Sequence, residues 1–442
     1  MYEKIKEAAA NIEKELWENR QRFHDFPEQG WQEMRASVYI ADYLKKLEFQ
    51  VLQGDEVHEM KARMGVPSDD ILQAHKAKVL QMGVDSSELK KVENGNTGVI
   101  GILKIGDCSQ KNKVPTIALR FDMDALEAGK PAHLCGHDGH MAIGLGVARV
   151  LSQLQKEWLS LFRQEGSHIC DNDDTDILEK TKSRDSGVVV KLIFQPAEEG
   201  VRGAKSIVEK GHLEGVDYLL GIHIQPSLKT AICTGMTGTY ATTKFDVVFH
   251  GKAAHAAAAP EQGRNALLAA ASAVTQLYAI PRHSQGDSII NVGTFQADTG
   301  RNVICDQAVL KLETRGKTSE INEYMEKYAR NILEHTAAIH GCTCEIVQVG
   351  SAPSIKSSIE LRELTGKVAG KLGYETLPPE FWNVSEDFAY MAQEVLNQGG
   401  KTNYIGARVP CSGPLHSENF TFDKQALEMG VQTLTGLIME LV

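Results

Sequence analysis

The sequence predicts an α/β protein in which a mostly parallel-sheet domain is interrupted by a smaller α+β domain. Apolar, β-branched segments alternate with helical ones in the first half of the chain, which is typical of a parallel sheet. From about residue 236 the strands become half-exposed and follow the ferredoxin-like order strand–helix–strand–strand–helix–strand. The first pattern then resumes beyond about residue 355.

The first 235 residues divide where the hydrophobic periodicity changes. Helical segments at 3–25 and 36–48 are separated by a proline and a glycine, and a polar, helix-prone stretch follows at 54–92. The next predicted elements are strands at 97–105, 115–121, 188–194 and 218–224 and helices at 141–154 and 204–210. The polar, acidic stretch 155–187 is expected to be a surface insertion, because long surface loops cost little extra closure entropy.

The remaining elements follow from the same reasoning. They are strands at 242–250, 288–296, 303–314, 344–350 and 403–407 and helices at 265–280, 321–340, 358–371 and 423–441. We therefore expect a discontinuous domain of residues 1–235 and 352–442, with an inserted domain of residues 236–351. A chain of 442 residues is too long for one ordinary core, which agrees with two domains.

The charge and hydropathy of the chain exclude several classes of partner. The formal net charge is −11 and there is no polybasic run, so we expect no binding to nucleic acid or to a membrane. No stretch approaches the ~18 apolar residues of a membrane span, and the N-terminus has no apolar signal region. We therefore expect a cytoplasmic protein whose eight scattered cysteines are reduced.

Two short motifs carry most of the chemistry in the sequence. Cys-Gly-His-Asp-Gly-His at 135–140 places a thiolate and an imidazole two residues apart. Gln-Pro-Ala-Glu-Glu-Gly at 195–200 places two adjacent carboxylates directly after a strongly apolar strand. Metal-assisted hydrolysis needs ligands of these kinds together with one unbound carboxylate that moves a proton.

Polar groups also follow four of the predicted strands, where a parallel sheet binds its ligands. These groups are Asp122 and Asp124, Glu198 and Glu199, His223, and His416. Taken singly, each has an ordinary alternative, namely a helix cap, exposed charge or a satisfied polar histidine. Two adjacent carboxylates repel each other in a cleft unless a cation binds, so jointly these groups predict a metal site. Cysteine favours zinc, whereas carboxylates and imidazoles also suit manganese.

On these motifs the chain resembles the dinuclear-metal amidohydrolases and aminoacylases related to carboxypeptidase G and the auxin-conjugate hydrolases. Further stretches similar to that family lie at 22–28, 122–124, 251–255 and 385–388. Within the family, the chain is most similar to the subgroup of p-aminobenzoyl-glutamate hydrolase A subunits. That similarity lies at 241–246, 265–271, 300–303 and 313–316.

The resemblance implies a centre of two divalent ions, zinc or manganese. Cys135 matches the ligand that bridges the two ions, and the other matched ligands are His137, Glu199, His223 and His416. Glu198 matches the general base, which takes a proton from the attacking water and returns it to the leaving amine. Asp124 matches a residue that orients an imidazole ligand.

The resemblance also implies that the inserted domain serves as a dimerisation or lid domain. His255 matches a residue that reaches across a dimer and stabilises the oxyanion of the tetrahedral intermediate. Arg315 and Asn302 match groups that bind the free carboxylate of the substrate. For Arg315 the alternative is a surface ion pair with Glu313, which lies on the same face of a predicted strand.

The implied activity is hydrolysis of the amide bond of a small N-acyl amino acid, with p-aminobenzoyl-glutamate as the best single candidate. The alternatives are a broader aminoacylase or dipeptidase, and a non-catalytic subunit that requires a homologous partner chain. A homodimer is the expected assembly, with a hetero-oligomer as the alternative. Only six residues separate Leu126 from His133, where relatives carry a longer loop, and this short segment is expected to affect substrate fit.

Overall fold

The computed structural model describes residues 1–108, 114–164 and 187–442. The predicted insertion at 155–187 is wrong for its first ten residues, which continue the preceding helix to Gln164. The helix continues because Trp158 is buried, with 2% of its surface exposed, and packs into the main core. Residues 165–186 of the predicted insertion lie outside the described residues.

The helices and strands, in chain order, have the following bounds. The helices are α1 Tyr2–Asn11, α2 Glu13–His24, α3 Met34–Lys46, α4 Asp69–Gln81, α5 Ser86–Leu89, α6 His137–Gln164, α7 Ala204–Glu209, α8 Ala266–Leu277, α9 Ser319–Ile339, α10 Ile359–Leu372, α11 Phe388–Asn397 and α12 Gln425–Glu440. The strands are β1 Gln50–Gln53, β2 Val99–Gly106, β3 Thr116–Asp122, β4 Leu126–Glu127, β5 Pro131–Ala132, β6 Gly187–Gln195, β7 Tyr218–Pro226, β8 Ala231–Cys233, β9 Met236–Thr239, β10 Ala241–His250, β11 Ser288–Gln296, β12 Gln307–Gly316, β13 Thr343–Ala352, β14 Thr376–Leu377, β15 Glu380–Trp382 and β16 Lys401–Val409.

The large sheet has eight strands in the order β1-β2-β6-β3-β7-β16-β8-β14. Its four central strands, β6, β3, β7 and β16, run parallel to one another. Antiparallel neighbours flank this parallel centre, with β2 beside β6 and β8 beside β16. The fold class predicted from the sequence, an α/β protein with a mostly parallel sheet, is confirmed.

Helices cover both faces of the large sheet because its central strands are apolar on both sides. On one face, α6 packs closely enough that a Cβ on Gly144 would come within 2.7 Å of Phe194 and 2.8 Å of Phe121. This face carries the main core, which also buries the apolar sides of α1, α2, α3, α10 and α12. A second core with α7 and α11 covers the other face.

The predicted N-terminal helix 3–25 is interrupted in the structure. Ile12 separates α1 from α2 with a backbone conformation of φ −108° and ψ 7°, outside the helical region. Its side chain is buried, so the break lets two helices of different direction share the main core. The sequence has no proline or glycine at this point, which explains why its periodicity predicted one helix.

The smaller sheet is antiparallel, with four strands in the order β11-β12-β10-β13. Helices α8 and α9 pack on one face of it and form a separate apolar cluster with its inward side chains. The predicted strand 303–314 is wrong at its start, because β12 begins at Gln307. Val303 and Ile304 instead pair with the segment around His255. The domain boundaries proposed at 235/236 and 351/352 stay a prediction.

Among the described residues, no helix combines the length and the apolar character needed to cross a lipid bilayer.

Candidate metal centre

The carboxyl ends of the parallel strands meet at one edge of the large sheet. Asp124 follows β3, Glu198 and Glu199 follow β6, and His223 lies near the end of β7. His416 lies in the loop after β16. Cys135 lies just before α6, at the same edge. Because the central strands are parallel and adjacent, side chains far apart in sequence are brought together there.

Five of the predicted side chains form two ligand groups that share one sulfur atom. Cys135 lies with His137 and His223 in one group, and with Glu199 and His416 in the other. Within each group the potential ligand atoms all lie within 4.8 Å of one another. Cys135 Sγ is 3.5 Å from His223 Nε2, and Glu199 Oε1 is 3.9 Å from His416 Nε2.

Hydrogen bonds to the main chain orient two of these imidazoles. His137 Nδ1 donates to the Asp124 carbonyl oxygen at 2.8 Å, and His223 Nδ1 donates to the Ile224 carbonyl oxygen at 2.7 Å. In both rings, Nε2 is therefore the nitrogen with a free lone pair, directed towards Cys135 and its neighbours. Such tautomers suit metal ligation.

The two other polar residues of the 135–140 motif are already bonded. His140 Nε2 accepts from the Ile224 amide at 2.9 Å, so Nδ1 carries the proton that it donates to Asp122 at 2.5 Å. The Asp138 carboxylate is paired with Arg20 at 2.9 Å and His24 at 2.8 Å. Both nitrogens of His140 and the charge of Asp138 thus serve the protein scaffold.

Buried polar atoms without hydrogen-bond partners mark the place where a cation fits. His137 Nε2 and Glu199 Oε1 are both fully buried and have no hydrogen-bond partner among the described residues. Buried polar atoms are nearly always satisfied, so two such orphans 4.0 Å apart need a common partner. A divalent cation satisfies a nitrogen lone pair, a carboxylate oxygen and a thiolate together, and the donor set therefore fits a metal.

The loop that carries Glu198 and Glu199 is held by Asp124. The two carboxylate oxygens of Asp124 accept hydrogen bonds from the amides of Glu198 and Glu199, both at 2.9 Å. Within the loop, Ala197 and Val201 both adopt positive φ. Such a backbone is costly for a residue with a side chain, and the Asp124 contacts help to keep it. Asp124 therefore reaches His137 through its main-chain oxygen, while its carboxylate positions the two glutamates.

The electrostatics of the cluster indicate an excess of negative charge. Burial, together with the Glu386 and Glu199 carboxylates, raises the pKa of Glu198 well above its usual range. Burial likewise raises the pKa of Glu199 to about 7 and the pKa of the Cys135 thiol well above its ordinary value. Burial lowers the pKa of His137, but the Asp122 carboxylate outweighs burial and raises it overall. A bound cation would balance this charge.

A cavity of about 260 Å³ opens onto the cluster. Its lining includes the following residues of the cluster and its surroundings: Cys135, Glu198, Glu199, His223, Gln225, Lys244, Arg315, Trp382, Glu386 and His416. Arg315 on β12 faces this cavity and also makes the ion pair with Glu313 that the sequence left as its alternative, at 2.9 Å. Leu126 and Glu127 of the short β4–β5 hairpin border an adjoining cavity that Glu199 and His416 also line.

His255 and Asn302 are placed beside each other on the smaller sheet's side, and neither lines this cavity. The amide of Ala256 donates to the Asn302 carbonyl oxygen at 2.8 Å, and His255 is bridged to Val303. His255 Nδ1 accepts from the amides of Ala257 and Ala258. Both His255 and Asn302 are exposed. Within the described chain the structure therefore does not bring these two residues to the cluster.

Two residues near the site escaped the sequence analysis. Lys244 on β10 lines the cavity, and its charge acts to lower the pKa of both Glu199 and His416. Arg120 on β3 is 1% exposed and binds Asp122, Glu386 and Asp387. A charged residue inside an otherwise apolar strand was the available signal for Arg120. Lys244 carried no such signal, because lysine is ordinary on the exposed face of a strand.

The sequence matches one protein family. The model of "Peptidase family M20/M25/M40" matches residues 176–440. The indole-3-acetyl-aspartic acid hydrolase of Enterobacter agglomerans is 36% identical over 446 residues, which cover 95% of this chain and 94% of that protein. The A subunit of p-aminobenzoyl-glutamate hydrolase from Escherichia coli K12 is 36% identical over 440 residues, covering 94% of this chain and 93% of that protein.

A solved structure agrees with these sequence matches. The aminobenzoyl-glutamate utilization protein from Klebsiella pneumoniae has a TM-score of 0.82 and 33% identity, and the match covers 98% of this chain and 97% of that chain. The resemblance to metal amidohydrolases inferred from the sequence motifs is confirmed. The chain therefore belongs to peptidase family M20/M25/M40 and is a metal-dependent amidohydrolase.

Proposed function

We propose that this enzyme hydrolyses the amide bond of an N-acyl amino acid, with p-aminobenzoyl-glutamate as the favoured substrate. One observation carries the proposal. Two ligand groups share Cys135, and beside them the Glu198 carboxylate makes no hydrogen bond within the described part of the chain. Hydrolysis of an amide by a metal enzyme requires this combination of held ions and one free carboxylate.

Two divalent cations, zinc or manganese, are the proposed cofactors. Cys135, His137 and His223 would hold one of them, and Cys135, Glu199 and His416 would hold the other. When bound, the cations polarise the amide carbonyl and lower the pKa of the attacking water. His137 and His223 are oriented for this purpose by their bonds to main-chain carbonyls, as described above.

Glu198 is the proposed general base. Its side chain lies in the cavity wall with 8% of its surface exposed, 3.8 Å from His137 Nε2. Burial and the neighbouring Glu386 and Glu199 carboxylates favour its protonated form, which helps it to accept the proton of the attacking water. Glu198 then returns this proton to the leaving amine, so it ends the reaction ionised.

The substrate class is supported by the names of the relatives and by the cation that faces the cavity. The Enterobacter protein is named for indole-3-acetyl-aspartic acid and the Escherichia protein for p-aminobenzoyl-glutamate, so both names contain an acidic amino acid. Arg315 is the proposed anchor for a substrate carboxylate. His255 and Asn302 lie away from the cavity of their own chain, and we propose that they complete the site of a second copy in a homodimer.

Substrate preference is the direct test of the proposed function. Purified protein with manganese or zinc added should hydrolyse p-aminobenzoyl-glutamate and indole-3-acetyl-aspartate with at least about tenfold higher kcat/KM than N-acetyl-alanine or N-acetyl-leucine, because an unpaired polar site disfavours the neutral substrates. Release of the free amino acid is the measurement. A broader aminoacylase would instead show similar kcat/KM values across this set.

A second arrangement is supported by the name of the Escherichia relative, which is one of the component chains of its hydrolase. In that arrangement the chain turns over only in a hetero-oligomer with a homologous partner. Absence of hydrolysis by the purified chain at full metal loading would favour it over the homodimer. Light scattering on the same sample gives the number of copies in the assembly.

The shared position of Cys135 predicts the behaviour of the metals. Cys135→Ala should lower the bound metal from two ions to less than one per chain, since it removes a ligand from both groups. Metal content after gel filtration, measured by plasma mass spectrometry, checks this result. Cys411→Ala is the matched control, because its thiol bonds to the Val409 carbonyl oxygen and lies outside both groups. Equal metal content in the two variants would contradict the bridging assignment.

A further inference from the structure

We propose that Lys244 recognises the side-chain carboxylate of an acidic amino acid in the substrate, and so makes the enzyme select glutamate or aspartate conjugates. This inference rests on the proposed hydrolysis of N-acyl amino acids and adds to it the residue that sets the amino-acid preference. The supporting observations are the position of Lys244, the hydrogen bonds its neighbours make, and the charge of the cavity.

Lys244 and Arg315 lie side by side on two paired strands. In the β10–β12 register, Lys244 is opposite Glu313 and Thr242 is opposite Arg315. Lys244 and Arg315 are therefore diagonal neighbours, and both line the cavity that opens onto the metal cluster. Both also line the adjoining cavity with Glu199 and His416. Two cations so placed match the two carboxylates of an acidic amino acid.

The two cations differ in how far they are already bonded. Arg315 holds Glu313 through two hydrogen bonds, Nε to Oε1 at 2.9 Å and Nη2 to Oε2 at 3.2 Å. Lys244 Nζ has only a 3.9 Å contact with the same carboxylate, and no hydrogen bond within the described residues. The Lys244 ammonium therefore keeps its donors free for a ligand, whereas two of the Arg315 donors are occupied.

The charge of the cavity makes such a cation necessary. Glu198, Glu199 and Glu386 all line it, and a substrate with two carboxylates would be repelled by them. Among the described residues that line this cavity, Lys244 and Arg315 are the only lysine or arginine side chains. One of them can pair with the carboxylate next to the scissile amide, which leaves the other for the side-chain carboxylate.

The test compares two ligands that differ only in the charge of that side chain, p-aminobenzoyl-glutamate and p-aminobenzoyl-glutamine. Binding is measured by calorimetry on manganese-loaded protein carrying Glu198→Gln, so that turnover does not interfere. With Lys244 present, we expect the glutamate compound to bind at least about tenfold more tightly. With Lys244→Met the ratio of the two Kd values should fall to about one, and with Lys244→Arg most of the preference should remain.

Lys311→Met is the matched control. It removes the same charge from the same face of the smaller sheet, but Lys311 lines neither cavity. Its Kd ratio should equal that of the protein with both lysines. A Kd ratio unchanged by Lys244→Met, or a ratio already near one with Lys244 in place, overturns the inference.

Failure of the proposed function would look different. If neither compound binds, N-acyl amino acids are not the substrates, and the inference falls with the proposed function. If both bind and the enzyme with Glu198 intact hydrolyses them, the proposed function stands, and the Kd ratio alone decides the role of Lys244.

Discussion

Glu198→Gln is expected to lower kcat by at least about 100-fold while the protein keeps its metal ions. Glutamine has the size of glutamate but cannot accept the proton of the attacking water. The residue is not one of the ligands in the two groups that share Cys135, so metal binding should remain near normal. Steady-state hydrolysis of p-aminobenzoyl-glutamate and metal content on the same sample give both quantities.

Glu127→Gln is the control for this experiment. Glu127 is an exposed carboxylate on the hairpin that borders the adjoining cavity, and it contributes the same charge without reaching the cluster. Its kcat should change by less than about threefold, as for a screened surface charge. If Glu198→Gln keeps most of the activity, or if it loses the metals, Glu198 is not the general base.

Arg120→Met is expected to destabilise the protein by about 3–5 kcal/mol. The Arg120 guanidinium is fully buried and donates to Asp122 at 2.6 Å, to Glu386 at 2.9 Å and to Asp387 at 3.2 Å. Methionine fills a similar volume but leaves these carboxylates buried without their cation. The midpoint of urea unfolding, followed by circular dichroism on metal-loaded protein, measures the loss.

The comparison variant is Arg149→Met. Arg149 pairs with Glu15 at 2.8 Å, but about a third of each side chain is exposed. Solvent screens such a pair, so the expected loss is only about 1 kcal/mol or less. Similar unfolding midpoints for the two variants would show that the buried network around Arg120 contributes no more than a surface ion pair.

The Arg120 network also explains how the fold supports the site. Arg120 bonds the end of β3 to Glu386 and Asp387, which precede α11. The Asp387 carboxylate accepts from the amides of Gly203 and Ala204, just after the loop that carries Glu198. A shift of this network would move the base, so Arg120→Met should also reduce activity.

Local patterns were sufficient for the long elements and insufficient for the short ones. The strands that became β3, β6, β7 and β11 were predicted to within two residues at each end, since each is a continuous apolar or alternating run. Strands of two to four residues, such as β4, β8 and β14, were not predicted. Their pairing depends on neighbours that are distant in the sequence, so their own residues carry little information.

The candidate site shows the same division. Cys135, His137, Glu198 and Glu199 lie in two compact motifs, and their chemistry could be inferred from the residue types alone. His223 and His416 joined them because parallel strands end at the same edge, which is a rule of topology. Lys244 could not be inferred, because its position in the cavity depends on how the smaller sheet faces the large one.

The sequence by itself determined the α/β class, the ligand types and the resemblance to metal amidohydrolases, because these depend on periodicity and on motifs a few residues long. Only the tertiary structure decided which nitrogen of each histidine is free and which cation is left unpaired. It also placed His255 and Asn302 outside their own chain's cavity. Arg120 bonds to partners 75 and 284 positions away, and such contacts form only when the sheet register is set. Hydrogen-bond partners are a property of packing, and no local pattern specifies them.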